Sequence, residues 1–260
     1  MKRVPFLLLA LIAWTITSKA QDLKQYAKGI YVDKQDTIAY RVLFPEQFDP
    51  AKRYPVVFFL HGGGERGSDN EAQLTHGAKL FLEPGIRKEF PAIVIFPQCA
   101  RDSYWSNTIA STDSLSKRHF VFQKGGKPTK AMRALLGMVD NFLDKPYADK
   151  KQVYIGGLSM GGMGTYELLR RKPRTFAAAF AICGGDNLEN VNKYKKVPLW
   201  IFHGGKDDVV NPKFSKEIAD QLKIIGREVK YSHYPQANHN SWDTAFAEPT
   251  LLTWLFSHRK

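Results

Sequence analysis

The segment Gly156–Pro173, "GGLSMGGMGTYELLRRKP", constrains the fold more than any other part of the chain. It places one serine, Ser159, among five glycines, although glycine destabilises a helix or strand by about 0.5–1 kcal/mol relative to alanine. The apolar run Val153–Gly157 precedes the serine and predicts a strand, and the residues Met160–Lys172 after it predict a helix. The chain therefore has to turn sharply at Ser159, in a space that side chains would block.

The turn reads Gly157-Leu158-Ser159-Met160-Gly161, which is G-x-S-x-G between a strand and a helix. This context is typical of a nucleophile elbow, in which a strained serine presents its hydroxyl at the end of a sheet. Residues two before and two after the serine crowd each other, and glycine removes the Cβ atoms that would clash. A phosphate-binding loop of the Walker type would need Gly-Lys followed by Ser or Thr, which is absent here. Ser159 is therefore the candidate nucleophile.

Strand-like and helix-like patterns alternate along the rest of the chain. The predicted strands are Ile38–Phe44, Tyr54–Leu60, Ala92–Phe96, Val153–Gly157, Ala177–Cys183, Pro198–Phe202 and Glu228–Tyr234. The predicted helices are Thr129–Asp144, Met160–Lys172, Pro212–Ile225 and Trp242–Ser257. Several strands are continuous apolar runs, which favours a mostly parallel sheet covered by helices on both faces. We expect one α/β domain over residues 21–260.

Residues 1–20 differ from the rest of the chain. Lys2 and Arg3 precede the apolar run Phe6–Ile16, and small residues follow up to Ala20. This pattern predicts a secretory signal peptide cleaved after Ala20, and thus a secreted or periplasmic bacterial protein. A membrane anchor is the alternative, but it would need ~20 apolar residues. No later stretch is apolar enough to span a membrane, so we expect no span in the mature form.

The formal net charge of the chain is +13. Residues 1–20 hold three basic residues and no acid, so the charge without them is +10. The basic residues are scattered and are not interleaved with aromatic residues, which favours a solvated surface over a nucleic-acid site. No metal-binding motif or cofactor motif is present, so the sequence predicts no metal and no cofactor.

A serine hydroxyl is a weak nucleophile until a base removes its proton. The segment "LWIFHGGKDDVVNP" carries Asp207 and Asp208 after a predicted strand, and "YPQANHNSWDTAF" carries His239 before the last predicted helix. The order serine, acid, histidine is that of α/β-hydrolase triads. His239 is the candidate base, and either aspartate is available to orient it. His61 and His203 end strands and are expected to hold loops.

Four motifs give the chain a resemblance to a known group: "FFLHGGGERG", "GGLSMGGMGTYEL", "WIFHGGKDDVV" and "NHNSW", spread over Phe58–Trp242. The chain resembles the α/β-hydrolase superfamily, and within it the secreted serine esterases that include feruloyl and acetylxylan esterases, polyhydroxybutyrate depolymerases and predicted peptidases. In that group the acid lies four residues after the histidine of H-G-x-x-D-x-x-V. Counted from His203, this position is Asp207, which leaves Asp208 as a neighbour.

The resemblance also implies an oxyanion hole and a substrate pocket. The backbone N–H of Met160 is expected to donate to the oxyanion, together with Gly63 or Gly64 of the "HGGGERG" loop. Trp105 and Trp242 are expected to bind substrate, with lid packing and packing beneath the histidine loop as their alternatives. For Glu65 and Arg66, a loop ion pair and a substrate contact both remain open.

Cys99 and Cys183 are the two cysteines of the chain. The strand order of the resembled group separates their strands by two others, or roughly 14 Å at ~4.8 Å per strand. A disulfide requires Cα atoms within ~7 Å. The resemblance thus favours two separate thiols over a bond.

These features predict a serine carboxylic-ester hydrolase acting through an acyl-enzyme on short-acyl or aromatic-acid esters of carbohydrates. Its partner would be a small-molecule or polysaccharide ester. A serine peptidase or amidase with the same residues is one alternative. A non-catalytic glycan- or polyanion-binding relative is another, disfavoured because all three triad candidates are present. The oligomeric state and the acyl and alcohol specificity do not follow from the sequence.

Overall fold

The structure is a computed structural model that describes residues 22–33 and 36–260. The predicted signal segment, residues 1–20, lies outside the described residues, so its cleavage stays a prediction. Within the described ranges, no helix is long and apolar enough to cross a membrane.

The strands of the described chain are β1 (Ala27–Asp33), β2 (Asp36–Leu43), β3 (Tyr54–Leu60), β4 (Ile93–Pro97), β5 (Thr108–Thr112), β6 (Arg118–Phe122), β7 (Ala148–Leu158), β8 (Ala178–Ile182), β9 (Leu199–Gly204) and β10 (Val229–Tyr234). Eight of them form one sheet in the order β1-β2-β4-β3-β7-β8-β9-β10. From β4 to β10 neighbouring strands are parallel, whereas β2 is antiparallel to both β1 and β4.

Helices cover both faces of this sheet. They are α1 (Pro84–Glu89), α2 (Lys130–Leu143), α3 (Met160–Arg171), α4 (Val191–Tyr194), α5 (Lys213–Ile224), α6 (Trp242–Phe246) and α7 (Leu251–Ser257). Buried side chains of α2, α3 and α5 belong to one apolar cluster, and those of α6 and α7 belong to a second. The predicted α/β-hydrolase fold, a mostly parallel sheet flanked by helices, is confirmed.

The central strand β3 shows why its sequence is an uninterrupted apolar run. Its side chains alternate between the two faces of the sheet. Val56, Phe58 and Leu60 join the cluster under α2 and α3, whereas Val57 and Phe59 join the opposite one. All five are at most 1% exposed. A strand covered on both faces has no position left for a polar side chain.

Several features differ from the sequence predictions, including the short helices α1 and α4, which were not predicted. The edge strand β1 and the β5–β6 hairpin were not predicted, and both carry mainly exposed or half-exposed residues. The predicted helix Trp242–Ser257 is two helices, α6 and α7, separated by a break at Ala247–Thr250. Pro249 lies in that break, and proline removes a helical hydrogen bond and clashes with the preceding turn.

The β5–β6 hairpin forms a small sheet of its own beside the main one. Its base is fixed by side chains from the region after β8. Asn187 Nδ2 donates to the carbonyl of Phe122 at 3.0 Å, and Asn190 Nδ2 donates to that of Gln123 at 3.2 Å. The Phe122 ring meets the Phe214 ring edge-on, with centroids 5.0 Å apart. The hairpin is therefore tied to the sheet layer at its base.

Asp186 lies beneath this attachment, where its carboxylate accepts hydrogen bonds from the Asn187 backbone and from Asn190 Nδ2. Burial raises the pKa of Asp186 to about 6, against the opposing effect of these hydrogen bonds. Because a free aspartate has a pKa of ~3.9, the folded state binds a proton that the unfolded chain has lost. Stability contributed by this proton is therefore lost as the pH rises from about 4 to about 6.

We expect Asp186→Asn to be more stable than the wild type at about pH 8, by at most about 3 kcal/mol, because it removes a buried charge. The gap should narrow as the pH is lowered to about 4, where the wild-type carboxyl is protonated. Urea unfolding of both proteins at the two pH values measures this difference. A variant that is destabilised equally at both values would show that the carboxyl acts only through its hydrogen bonds.

Candidate active site

Ser159 sits between β7 and α3 in a strained backbone conformation, with φ +52° and ψ −117°. Positive φ is uncommon for a residue with a side chain. The flanking glycines make the turn possible. A Cβ atom on Gly161 would lie 1.9 Å from the Leu60 carbonyl oxygen, and one on Gly157 would lie 2.4 Å from the Gly161 oxygen. The crowding predicted from the G-x-S-x-G sequence is therefore present.

The structure brings Ser159, His239 and Asp207 together. The distance from Ser159 Oγ to His239 Nε2 is 2.9 Å. On the other side of the ring, His239 Nδ1 lies 2.8 Å and 3.0 Å from the two carboxylate oxygens of Asp207. Asp207 follows β9, and His239 lies in the loop between β10 and α6. Three distant segments thus form one hydrogen-bonded series.

Asp208 is exposed, and its backbone N–H donates a hydrogen bond to Asn238 Oδ1. No hydrogen bond between Asp208 and His239 is present among the described residues. The spacing rule that favoured Asp207 over its neighbour therefore agrees with the geometry.

The environment of Asp207 keeps its carboxylate ionised. Burial opposes ionisation, but hydrogen bonds from His203 and His239 outweigh it and hold the pKa of Asp207 well below its usual range. The backbone N–H groups of Val209 and Val210 donate to Oδ1 at 2.9 and 2.8 Å. A carboxylate held in this way can fix the orientation and tautomer of the His239 ring.

His203 is fully buried, and it connects Asp207 to the layer beneath. Its Nε2 lies 3.1 Å from Asp207 Oδ2 and 2.9 Å from the Val210 carbonyl oxygen, and its Nδ1 lies 2.7 Å from Ser215 Oγ. Both groups facing Nε2 are acceptors, so this nitrogen carries a proton. His203 therefore holds the Asp207 loop in place, as expected for a histidine at a strand end.

The loop after β3 and the start of α3 meet at Ser159. Met160 is the first residue of α3, and the first N–H groups of a helix have no intrahelical acceptor. Gly63 and Gly64 form a short 3-10 turn, and both line the same cleft as Ser159 and Met160. A Cβ on either glycine would meet nothing within 4 Å. There is thus open space on the Cβ side of both glycines, and their role as oxyanion donors stays a prediction.

His61 supports the loop that carries these glycines. Its Nε2 accepts a hydrogen bond from the Cys99 N–H at 2.9 Å, which leaves Nδ1 to donate to the Gly62 carbonyl at 2.6 Å. Burial lowers the pKa of His61 to about 4, so the ring is neutral. This arrangement fixes the carbonyl next to the candidate oxyanion donors. Sequence patterns gave no sign of it beyond the position of His61 at a strand end.

The prediction that Trp105 binds substrate is wrong as regards direct contact. The Trp105 side chain is 0% exposed and belongs to the core, where its indole N–H donates to the His61 carbonyl at 3.2 Å. Its neighbour Tyr104 lines the cleft instead. The alternative, lid packing, is not observed either, because the side chain packs in the buried core.

Trp242 lines the cleft. Its ring meets the His239 ring edge-on, with centroids 5.4 Å apart, and lies 5.0 Å from the ring of His76. Trp242 therefore packs against the candidate base and also borders the space above it. Whether it touches substrate stays a prediction.

The cleft above Ser159 has a volume of about 1080 Å³. It is bordered by the glycine loop, by residues 101–104, by one face of the β5–β6 hairpin and by Trp242. The hairpin, which the sequence did not predict, contributes Thr108, Ala110, Thr112, Arg118 and Phe120 to its wall. The wall of the cleft is thus formed partly by the hairpin.

Cys99 and Cys183 are both buried and unbonded, as expected from their strand positions. Strands β3 and β7 lie between the strands that precede them. Cys183 also lies near Asp207 and His239, and potential ligand atoms of the three fall within 4.8 Å of one another. Burial raises the pKa of the Cys183 thiol far above its usual range. The hydrogen bond between Asp207 and His239 explains why these two groups lie close together.

A family model described as Phospholipase/Carboxylesterase matches residues 49–250, which is more than half of the chain. The chain belongs to the phospholipase/carboxylesterase family. A member of this family with esterase relatives is an enzyme of the carboxylesterase-like serine hydrolase type. Family membership and the esterases among the relatives support the carboxylic-ester hydrolase predicted from the sequence.

Three relatives illustrate the range of similarity in this phospholipase/carboxylesterase chain. A structure described as a thermostable esterase has 32% identity and a TM-score of 0.81, covering 92% of this chain and 64% of that one. The bifunctional acetylxylan esterase/xylanase XynS20E of Neocallimastix patriciarum is 33% identical over 52% of this chain and 21% of its own length. Dipeptidyl-peptidase 5 of Porphyromonas gingivalis is 25% identical over 78% of this chain and 26% of its own. The chain thus spans less than two thirds of each relative.

Proposed function

We propose that this chain is a secreted serine esterase that cleaves short-acyl or aromatic-acid esters of carbohydrates through an acyl-enzyme intermediate. One observation carries the proposal: the hydrogen-bonded series from Ser159 through His239 to Asp207 opens into a large cleft. Nucleophile, base and carboxylate follow one another as in triad hydrolases. Residues 1–20 support secretion by their sequence.

In the first half of the reaction, Ser159 Oγ attacks the ester carbonyl carbon while His239 Nε2 takes the hydroxyl proton. The carbonyl oxygen becomes an oxyanion, which accepts hydrogen bonds from the Met160 N–H and from Gly63 or Gly64. The intermediate collapses, the C–O bond to the alcohol breaks, and His239 returns the proton to the leaving oxygen. The acyl group is then bonded to Ser159 Oγ.

Water completes the cycle by the same route. His239 Nε2 takes a proton from the water as its oxygen attacks the acyl carbon, and the bond to Ser159 Oγ breaks as the serine is reprotonated. Asp207 accepts the Nδ1–H of His239 throughout and stabilises the imidazolium. The products are a carboxylic acid, the alcohol released earlier and the free enzyme.

The walls of the cleft support a carbohydrate ester. The residues that line the cleft include the hydroxyl-bearing Ser103, Thr108 and Thr112, and such groups can bond to sugar hydroxyls. Tyr104 and Phe120 offer ring faces suited to an aromatic acid or a sugar ring. The acetylxylan esterase/xylanase among the relatives is consistent with this substrate class.

Peptide hydrolysis is the second candidate, because a dipeptidyl-peptidase is among the relatives that cover most of this chain. The same three residues would act, but an amine leaves less readily than an alcohol. We therefore expect kcat/KM for 4-nitrophenyl acetate and methyl ferulate to exceed that for a chromogenic dipeptide with the same preparation. Faster cleavage of the peptide than of both esters would replace the esterase by the peptidase.

A further inference from the structure

The lining of the cleft includes several positively charged side chains. Arg66, Arg101, Arg118 and Lys130 all line the cleft. Lys130 has a carboxylate partner, since its Nζ lies 3.9 Å from Asp102 Oδ2. Within the described part of the chain, no carboxylate oxygen lies within ion-pair distance of the three guanidinium groups. The cationic wall, defined as Arg66, Arg101 and Arg118, is therefore without a direct ion pair, although Arg101 is close enough to Asp69 to help lower the pKa of that carboxyl.

Acidic residues near the cleft do not neutralise this wall. Glu65 is the direct neighbour of Arg66 in sequence, and an ion pair between them was one possibility. Its carboxylate instead faces His76, at 3.7 Å, and His61, at 4.0 Å. The Glu65 carboxylate and the Arg66 guanidinium therefore contact different partners. Arg66 is thus left without the counterion that the sequence offered.

Arg66 is held in a fixed position by neutral groups alone. Its Nε donates to the Gly63 carbonyl at 3.1 Å, and its Nη1 donates to the carbonyls of Arg101 and Ser103 at 3.2 and 3.3 Å. Its Cζ lies 5.9 Å from the centre of the Tyr104 ring. Carbonyl dipoles orient the guanidinium but leave its full charge in place. A half-buried, preoriented cation of this kind attracts an anion more strongly than a solvated one.

The hairpin places a second guanidinium over the same space. Arg118 begins β6, opposite Thr112 of β5, and belongs to the face of the hairpin that lines the cleft. Arg118 is exposed, whereas Arg66 lies deeper, one residue beyond the 3-10 turn of the glycine loop. Positive charges on a cleft wall raise the local concentration of an anionic substrate. Burial raises the pKa of Tyr104, and the charges of both Arg66 and Arg118 oppose this rise, so the two guanidinium groups act on the same part of the cleft wall.

We propose that Arg66 and Arg118 form a carboxylate subsite, so that the preferred substrate is an ester that bears a second, ionised carboxyl group. This inference rests on the proposed esterase function and names a narrower substrate class for it. The planar fork of a guanidinium matches the two oxygens of a carboxylate. A uronic acid unit on the alcohol side and a dicarboxylic half-ester on the acyl side both supply this group.

Two matched substrate pairs test the subsite. For the acyl side, 4-nitrophenyl adipate monoester is compared with 4-nitrophenyl hexanoate, which has the same chain length without the carboxylate. For the alcohol side, an acetyl ester of glucuronic acid is compared with the acetyl ester of glucose at the same hydroxyl. In at least one pair, we expect kcat/KM to favour the acidic ester by about 10- to 100-fold at low salt, the range of charged hydrogen bonds.

Three variants distinguish recognition of the substrate's charge from a structural role of the two arginines. Arg118→Gln and Arg66→Gln should each lower the acidic-to-neutral ratio of kcat/KM severalfold, mainly through KM for the acidic ester. The ratio is informative even if Arg66→Gln disturbs the glycine loop, because loop damage affects both esters. Arg227→Gln removes the same charge from an exposed site outside the cleft, and it should leave the ratio unchanged.

Binding to the Ser159→Ala protein distinguishes the subsite from the reaction. Tighter binding of the acidic ester than of the neutral ester in a pair supports the subsite, even if the wild type hydrolyses neither ester. Absence of hydrolysis would refute only the proposed function. Equal hydrolysis and equal binding of acidic and neutral esters in both pairs would overturn the subsite and leave the esterase intact. If the acidic-to-neutral ratio of kcat/KM fell as much in Arg227→Gln as in the Arg66 and Arg118 variants, the preference would be an effect of net charge. This result would also overturn the subsite.

Discussion

Ser159→Ala is expected to lower kcat for ester hydrolysis by about a million-fold, the effect of removing the serine in comparable triad enzymes. The reason is that Ser159 Oγ is the atom that would form the acyl bond, and its recorded hydrogen bond is to His239 Nε2. The fold should persist, because alanine keeps the Cβ atom that the elbow already accommodates and leaves no buried polar group unpaired.

The measurement is hydrolysis of 4-nitrophenyl acetate by the purified variant, with circular dichroism to check folding. Ser257→Ala, an exposed serine of α7, is the matched control for purification and background hydrolysis. Activity above a tenth of the wild-type value in a folded Ser159→Ala protein would rule out Ser159 as the nucleophile.

Asp207→Asn is expected to lower kcat by about 10⁴-fold, as in other triads where the carboxylate becomes an amide. The amide can donate to His239 Nδ1 and so stabilise the tautomer whose Nε2 carries the proton and cannot accept one from Ser159. It also removes the negative charge that stabilises the imidazolium. The buried position of the Asp207 carboxylate, between two histidines, makes this loss hard to replace by water.

Asp208→Asn is the matched control for this loss, because it changes the neighbouring carboxylate of the same loop. Its side chain is exposed and makes no hydrogen bond to His239 in the described structure. We expect kcat within about threefold of the wild type, as for an exposed substitution away from the reacting groups. If the two variants ranked in the opposite order, the acid would have to be Asp208.

The fold was predictable from the sequence because its central strands are buried on both faces. The sequence of such a strand is a continuous apolar run. The elbow at Ser159 adds a glycine pattern that few other turns require. The edge strand β1 lacks this signal, because most of its side chains are exposed or half-exposed. The β5–β6 hairpin lacks it for the same reason, with Ile109 and Val121 60% and 57% exposed on its outer side.

Residues of the candidate site could be predicted where a motif fixes their spacing in the sequence. They could not be predicted where packing determines the position of the side chain. Asp207 follows from its distance to His203 within a motif. Trp105 shows the opposite case, because an aromatic residue after a strand is equally suited to a pocket wall and to the core beneath it. Its indole N–H found a partner in the His61 carbonyl, a contact across 44 residues that no local pattern encodes.

The role of the hairpin was also beyond the sequence. Asn187 and Asn190 attach its base to the region after β8, and this attachment helps to hold its residues beside the cleft. These two bonds join segments more than 60 residues apart, as the separations of 65 and 67 show. The wall that carries Arg118 and Phe120 therefore depends on tertiary contacts.

The most direct test of the catalytic role of Ser159 is covalent labelling with diethyl 4-nitrophenyl phosphate, followed by intact-mass and peptide mass spectrometry. The phosphorus atom is attacked by an activated serine, and 4-nitrophenolate leaves. We predict one diethylphosphoryl group per chain, bonded to Ser159 Oγ, with ester hydrolysis lost in proportion to labelling and no adduct in Ser159→Ala. Full activity in a chain labelled at Ser159, or loss of activity with the label on another residue, would contradict the assignment.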